Sequence, residues 1–151
     1  MIKEGDQAPP FELVADDGRT LSLADFAGKT LILYFYPRDS TPGCTREAEA
    51  FRDALPAFAK KRAVVVGVSR DSTASHCKFR DKYRLTFPLL SDPEGKVIEA
   101  YGAWGEKTLY GKKSMGILRS TVIITPDGTI KKHFPKVAVE GHAEAVLAAI
   151  E

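Results

Sequence analysis

One cysteine of this chain stands directly after a Thr-Pro-Gly turn, Thr41-Pro42-Gly43-Cys44, between an apolar run and a helix-like run. Thr41 is a good N-cap residue, and Pro42 suits the first helical position because its missing N–H would have no partner there. Cys44 then becomes the third helical residue. In the Ser/Thr-x-x-Glu capping box an acid at this position reaches back to unpaired N–H groups. Here a sulfur takes its place, and the field at a helix start favours the thiolate, the reactive form. Gly43 leaves space beside the sulfur for a small reactant, and Thr41 offers a hydroxyl within reach. A free cysteine can also be a small buried hydrophobe. Such a residue would fit the Ala48, Phe51, Leu55, Phe58 stripe better than an exposed helix start. A dithiol reductase needs a second cysteine three residues on, where this chain has Glu47. A single activated thiolate beside a hydroxyl suits attack on an electrophile, and a peroxide is one.

The elements that must position this turn follow from pattern. Residues 30–36 (TLILYFY) are almost wholly apolar and β-prone, as in a strand buried on both faces, and Pro37 ends it. A helical period follows from Thr41 to about Lys60, with a break or kink expected near Leu55 because Pro56 lies inside it. Residues 63–68 (AVVVGV) read as a second buried strand, and residues 72–83 as a helix capped by Asp71 and Ser72. Asp-Gly turns predict hairpins over 11–23 and 120–134. A short extended piece at 87–90, a short helix at 95–101 and a closing helix at 141–150 complete the pattern. Strand–helix–strand connections require parallel central strands, and the late hairpin adds antiparallel ones. The expected fold is α/β and thioredoxin-like: a central mixed sheet flanked by helices, with an N-terminal β-hairpin, in one domain over 1–151. Active positions in such sheets lie beyond the carboxyl end of a central strand, where Cys44 falls.

Composition narrows the setting. The chain has 151 residues, 44% hydrophobic and 28% charged, with a net charge of +2, too small to imply nucleic acid. Lys107, Lys112 and Lys113 form the densest basic group and read as a solvated loop. No apolar run is long enough to span a membrane. The opening MIKEGDQAPPFEL has no charged-then-apolar leader, and two cysteines 33 positions apart make no disulfide scaffold, so a cytoplasmic setting is expected. His76, His133 and His142 are scattered, without ligand spacing to either cysteine, so neither a metal nor another cofactor is expected.

The spacing Pro37-x-x-x-Thr41-x-x-Cys44 resembles the active-site signature of peroxiredoxins, and YPRDSTPGCTREA is similar to their bacterioferritin-comigratory (Q-type) branch. GVSRDS from Gly67, FPLLSD from Phe87, YGAWGEK from Tyr101 and RSTVIITPDG from Arg119 extend the likeness over nearly the whole chain. The resemblance implies thiol-dependent reduction of hydrogen peroxide and organic hydroperoxides. Cys44 would be the peroxidatic cysteine, with Thr41 holding the peroxide and Pro37 shielding the site from water. Arg119 would favour the thiolate and stabilise charge developing on the oxygens, and the N–H groups of Gly43 and Cys44 would complete the substrate site. Many members of this branch carry a resolving cysteine five residues after the first, where this chain has Glu49. Some place it instead on the helix that here carries Cys77, which implies a transient Cys44–Cys77 disulfide. At about 100° per residue Cys77 points away from Phe79 and should be partly exposed. A one-cysteine enzyme resolved by an external thiol, and a redox sensor or chaperone-like partner, are the alternatives. Thioredoxin or glutaredoxin is the implied reductant, and a monomer the implied state.

Overall fold

The computed structural model describes residues 2–150, with Leu109 described by its backbone alone. Its centre is β3 (Thr30–Phe35), whose TLILYF sequence is buried from Leu31 onward. β3 pairs in parallel with β4 (Ala63–Ser69) along its full length, from Thr30 opposite Ala63 to Phe35 opposite Val68. On its other side it pairs antiparallel with β8 (Ser120–Ile124), with Phe35 opposite Ser120. β9 (Ile130–Phe134) closes that edge. Beyond β4 lie β5 (Leu89–Ser91), β1 (Glu12–Ala15) and β2 (Thr20–Ser22), giving the order β2-β1-β5-β4-β3-β8-β9. The predicted mixed sheet and N-terminal hairpin are both present, the hairpin joining the sheet through β1 and β5.

Alternation along β3 divides the core in two. Ile32, Tyr34 and Tyr36 face the layer of α1 (Pro42–Lys60), α2 (Thr73–Tyr83) and α4 (His142–Ala149), meeting Phe51, Phe58, Phe79 and Val146. Leu31, Leu33 and Phe35 face the opposite layer, with Ile98 of α3 (Lys96–Ala100), Tyr101 and the N-terminal residues Ile2, Ala8 and Phe11.

Two expectations change. The helix does not break at Pro56: α1 runs as one element to Lys60. Pro56 lies on the exposed side, where water can take over the carbonyl left without an N–H partner. Phe51 and Phe58, both fully buried, pin the two halves to the same core. The basic group at Lys107, Lys112 and Lys113 is not a loop. It lies on a hairpin of β6 (Trp104–Leu109) and β7 (Lys112–Ile117), in which Lys107 pairs with Ser114 and Lys113 with Thr108. Its two-residue turn, Tyr110-Gly111, has positive φ at both positions, the mirror-image geometry that matches strand twist. Tyr-Gly is a weak turn signal, and the polar, Gly-containing flanks hid the strands from pattern reading.

Gly67 marks a tight approach inside the sheet. A methyl group there would lie 3.0 Å from the Tyr34 ring and hydroxyl and 3.1 Å from Leu89. The Tyr34 hydroxyl is buried without a hydrogen-bond partner, and its ring stacks on Phe51. Gly67→Ala is expected to lower unfolding free energy by about 1–3 kcal/mol in urea titrations. Tyr34→Phe, which deletes that hydroxyl, should recover part of the loss; equal losses in both backgrounds would move the clash to Leu89.

Candidate active site

The chain leaves β3 through Tyr36, which is buried, and Pro37, which is half-buried. Ser40 then adopts φ 64°, a left-handed conformation uncommon for a non-glycine residue and often found at functional turns. Thr41 has the extended backbone of an N-cap, with Pro42 opening α1, as the sequence predicts. The cap itself differs from the expectation. The Thr41 hydroxyl makes no bond to the helix N–H groups and instead donates to the Arg38 carbonyl at 2.8 Å. Its proton is thereby committed, while its lone pairs remain able to accept. The helix start leaves the N–H groups of Gly43 and Cys44 without intrahelical acceptors.

Cys44 is 1% exposed, so the thiol expected at an exposed helix start is covered, although Pro42 before it is exposed. It packs in the apolar cluster of Tyr36, Ala48 and Phe51, yet its sulfur is not apolar in its contacts. Arg119 donates from Nη2 toward Cys44 Sγ at 3.4 Å and from Nη1 to Glu47 Oε1 at 2.6 Å. This meeting across 75 positions of sequence follows from topology. β8 runs antiparallel to β3, so the residue just before β8 arrives at the carboxyl end of β3. The Arg119 carbonyl also accepts from Val137 N–H at 3.0 Å, which ties its backbone to the segment after β9. A methyl group on Gly43 would come within 3.2 Å of Nη2, so glycine here leaves room for the guanidinium as well as beside the sulfur.

Glu47 is the residue that sequence reading passed over, using it only to exclude a second cysteine. It is 1% exposed and leaves Oε2 buried without a partner. Burial pushes its carboxyl up to about 7, against the pull of Arg119. Burial also works against the Arg119 charge, but Glu47 and Cys44 outweigh it and hold the guanidinium pKa above its ordinary value. A thiolate and a carboxylate would compete for this one cation, whereas a protonated Glu47 leaves the charge to sulfur. The available signal was position: Glu47 lies on the buried stripe of α1, three residues after Cys44 and four before Phe51. A carboxyl group on an apolar stripe calls for a partner.

A cleft of about 590 Å³ opens beside Pro37 and Arg119, lined also by Lys107 and Thr108 of the β6–β7 hairpin, and by Leu118 and Pro135. Behind the site, His142 bonds Thr121 Oγ1 at 2.8 Å and packs edge-on to Phe51 and Phe134. Burial, and then the Arg119 charge, lower its pKa to about 4.

Cys77 is not brought to Cys44. Both thiols are free. Cys77 is half-buried, and the side of α2 opposite Phe79 is covered by the β1–β2 turn, where its thiol donates to the Asp16 carbonyl at 2.7 Å. β1 lies three strand positions from β3, roughly 14 Å across the sheet. A disulfide needs Cα atoms within about 7 Å.

A second polar group was also missed, because its members look scattered in sequence. Asp39, Asp71 and His76 come together beside the β3–α1 loop with a spacing that could hold a cation. Their atoms are already engaged: Asp39 accepts from Tyr36 Oη, Ser75 Oγ and the His76 ring, and Asp71 accepts from Asp39 N–H and Ser69 Oγ.

Glu47 and His142 titrate with opposite sense. The Glu47 carboxyl binds its proton more tightly folded than unfolded, so its contribution to stability is complete below 4.5 and is lost as pH rises through about 7. His142 binds its proton less tightly folded, so its contribution is present above 6.5 and is lost as pH falls through about 4. Glu47→Gln keeps an acceptor for Arg119 and removes the titration. Between about pH 5 and about pH 8, the urea midpoint of the unmodified chain should fall relative to that of Glu47→Gln. Parallel midpoints would show that Glu47 is already ionised throughout this range.

Known proteins resemble the chain over most of its length. The model of the AhpC/TSA family matches residues 4–133. A putative peroxiredoxin bcp of Coxiella burnetii is 48% identical over 146 residues, covering 97% of each chain. Peroxiredoxin Bcp of Bacillus subtilis is 47% identical over 97% of this chain and 93% of its own. Among solved structures, the bacterioferritin comigratory protein of Xanthomonas campestris superposes with TM-score 0.88 at 44% identity, covering 93% of this chain and 89% of its own. A cysteine-to-serine variant of Xylella fastidiosa PrxQ reaches 0.92 at 39% identity, covering 98% and 94%. With its thioredoxin-like sheet and a family match over most of its length, the chain belongs to the AhpC/TSA family, among the Bcp-type peroxiredoxins.

Proposed function

We propose that the protein reduces hydrogen peroxide and organic hydroperoxides by direct attack of Cys44, acting as a single domain over 1–151. The observation that carries this reading is the contact between Cys44 Sγ and Arg119 Nη2 at the start of α1. A buried thiol normally has no cation beside it; this one has a guanidinium already oriented by Glu47. The Cys44 thiolate attacks one peroxide oxygen, the O–O bond breaks, and the departing oxygen takes up a proton and leaves as water or an alcohol. Cys44 is left as a sulfenic acid. Arg119 and the first-turn N–H groups of Gly43 and Cys44 meet the negative charge that moves from sulfur to oxygen. Thr41, its own proton given to Arg38, accepts from the peroxide O–H. Pro37 borders the cleft and limits water beside the sulfur.

Return to the thiol uses Cys77. The thiol of Cys77 attacks the Cys44 sulfur, the S–O bond breaks, and the hydroxyl leaves as water with the thiol proton, giving a Cys44–Cys77 disulfide. A dithiol reductant of the thioredoxin or glutaredoxin kind then reopens it. The solved structures of Xanthomonas campestris peroxiredoxin Q include a serine variant at each of two cysteines 36 residues apart. Cys77 follows Cys44 by 33, three positions nearer than that spacing. Alkyl peroxide reduction is named for the Xanthomonas protein, and the cleft beside Arg119 has room for an alkyl group. A monomer in the cytoplasm fits this reading; no helix among the described residues is long and apolar enough to cross a membrane. The one-cysteine alternative draws on the engagement of Cys77 with Asp16, three strands from β3.

Cys44→Ser is expected to abolish catalytic peroxide loss, whereas a redox sensor would show only stoichiometric oxidation in the unmodified chain. Gly43→Ala, by pressing on the guanidinium, should slow the peroxide step by about tenfold or more. Cys77→Ser should lose turnover with thioredoxin while the first oxidation of Cys44 proceeds at its normal rate. Unchanged turnover with thioredoxin would favour the one-cysteine enzyme.

A further inference from the structure

The cluster around His76 links the two cysteine-bearing segments. His76 is fully buried, and both ring nitrogens face acceptors: Nε2 meets the Leu90 carbonyl at 3.0 Å and Nδ1 meets Asp39 Oδ2 at 2.7 Å. A carbonyl only accepts, so Nε2 carries a proton. The Asp39 carboxyl takes in the Tyr36 hydroxyl at 2.6 Å and the Ser75 hydroxyl at 2.8 Å as well as Nδ1. Three groups converge on this one carboxyl and hold it in a single buried hydrogen-bonded network. Asp39 lies between Pro37 and Thr41, while His76 immediately precedes Cys77. One buried hydrogen-bonded pair therefore joins the loop of the peroxide site to the helix of the second thiol.

The composition of α2 makes this pair matter. Only His76 and Phe79 of this helix are buried. Tyr83 adds a half-buried ring against Phe79, and the helix is also tied by Arg80 to Asp16 Oδ2 at 2.8 Å and by the Cys77 thiol to the Asp16 carbonyl. Cys77 can approach Cys44 only if α2 opens, the first turn of α1 opens, or both do. Opening α2 as far as Cys77 withdraws His76 from its pocket and exposes Asp39. Opening the first turn of α1 pulls on the same Asp39 from the other side.

We propose that the Asp39–His76 pair is a latch that holds α2 closed over the reduced site, so that its release sets the rate at which Cys77 resolves the Cys44 sulfenic acid. This rests on the reading that Cys77 is the resolving thiol. While the latch is closed, the sulfenic acid persists and a second peroxide can oxidise it to sulfinic acid, releasing water. Latch strength thus determines the partition between bridge and sulfinic acid. It leaves the first oxidation, made by Cys44 and Arg119, unaffected.

His76→Asn in the full chain tests this by rapid-quench mass spectrometry after hydrogen peroxide, together with hydrogen exchange of the reduced protein. Loss of the free Cys44 thiol should keep its rate within about twofold, whereas α2 amides should exchange about tenfold faster and the bridge form correspondingly faster. The sulfinic fraction at high peroxide should fall in step. Ser75→Ala removes one donor to Asp39 without disturbing a buried ring, so it reads the same direction, at about twofold, should His76→Asn fold poorly. A bridge that forms in the unmodified chain but no faster in either variant would overturn the latch alone. Absence of any Cys44–Cys77 bridge in the unmodified chain would overturn the resolving role of Cys77, and the latch with it.

Discussion

Everything about the site depends on one largely covered cation. Arg119 stands between the carboxyl of Glu47 and the sulfur of Cys44, 2.6 Å from one and 3.4 Å from the other. Covering a guanidinium is costly unless its donors find acceptors, and here two fixed acceptors take one N–H from each of Nη1 and Nη2. The surrounding structure can be understood as support for that arrangement. The β3–β8 pairing delivers Arg119 to the carboxyl end of β3, Gly43 leaves room for its Nη2, and Val137 fixes its backbone. Glu47 orients the guanidinium, but its partly satisfied, buried carboxyl holds its proton up to about 7 and so competes weakly for the charge.

The same economy of apolar anchoring distinguishes the two helices on this face. α1 buries Ala48, Phe51 and Phe58 and stays continuous even through Pro56. α2 fully buries one aromatic ring, worth about 1.5–3 kcal/mol, adds the half-buried Tyr83, and otherwise depends on polar contacts. Helices of that kind occupy the low-stability end of a fold, where local opening is possible without global unfolding. The two thiols therefore sit on elements of unequal local stability. Cys44 is carried by the rigid helix and Cys77 by the other.

Burial changes how Cys44 itself is understood. A cysteine that is 1% exposed and packed against Tyr36 and Phe51 satisfies the description of a structural thiol by exposure alone. Its contact with Arg119 separates it from that class. The left-handed Ser40 and the Thr41 hydroxyl, turned back onto Arg38, shape the approach without adding charge. Exposure is therefore a weaker guide to reactivity here than the identity of the atoms that touch the sulfur.

Local chemistry made much of this legible in the chain alone. Apolar, β-prone runs marked β3 and β4, Asp-Gly pairs marked two hairpins, and Thr41-Pro42-Gly43-Cys44 marked the helix start, because each signal is carried by adjacent residues or by a single period. The β6–β7 hairpin escaped, since Tyr110-Gly111 and its lysine-rich flanks carry no strong alternation. Glu47 and the Asp39–His76 pair escaped for a different reason. A carboxyl on a helix stripe or a lone histidine acquires meaning only from the partner that folding supplies, here Arg119 across the sheet and Asp39 from the neighbouring loop. The sequence by itself determined which thiol stands at a helix start and which elements surround it. Only the tertiary structure decided what touches that thiol and how far away the second one is held, because strand order and antiparallel register set those distances.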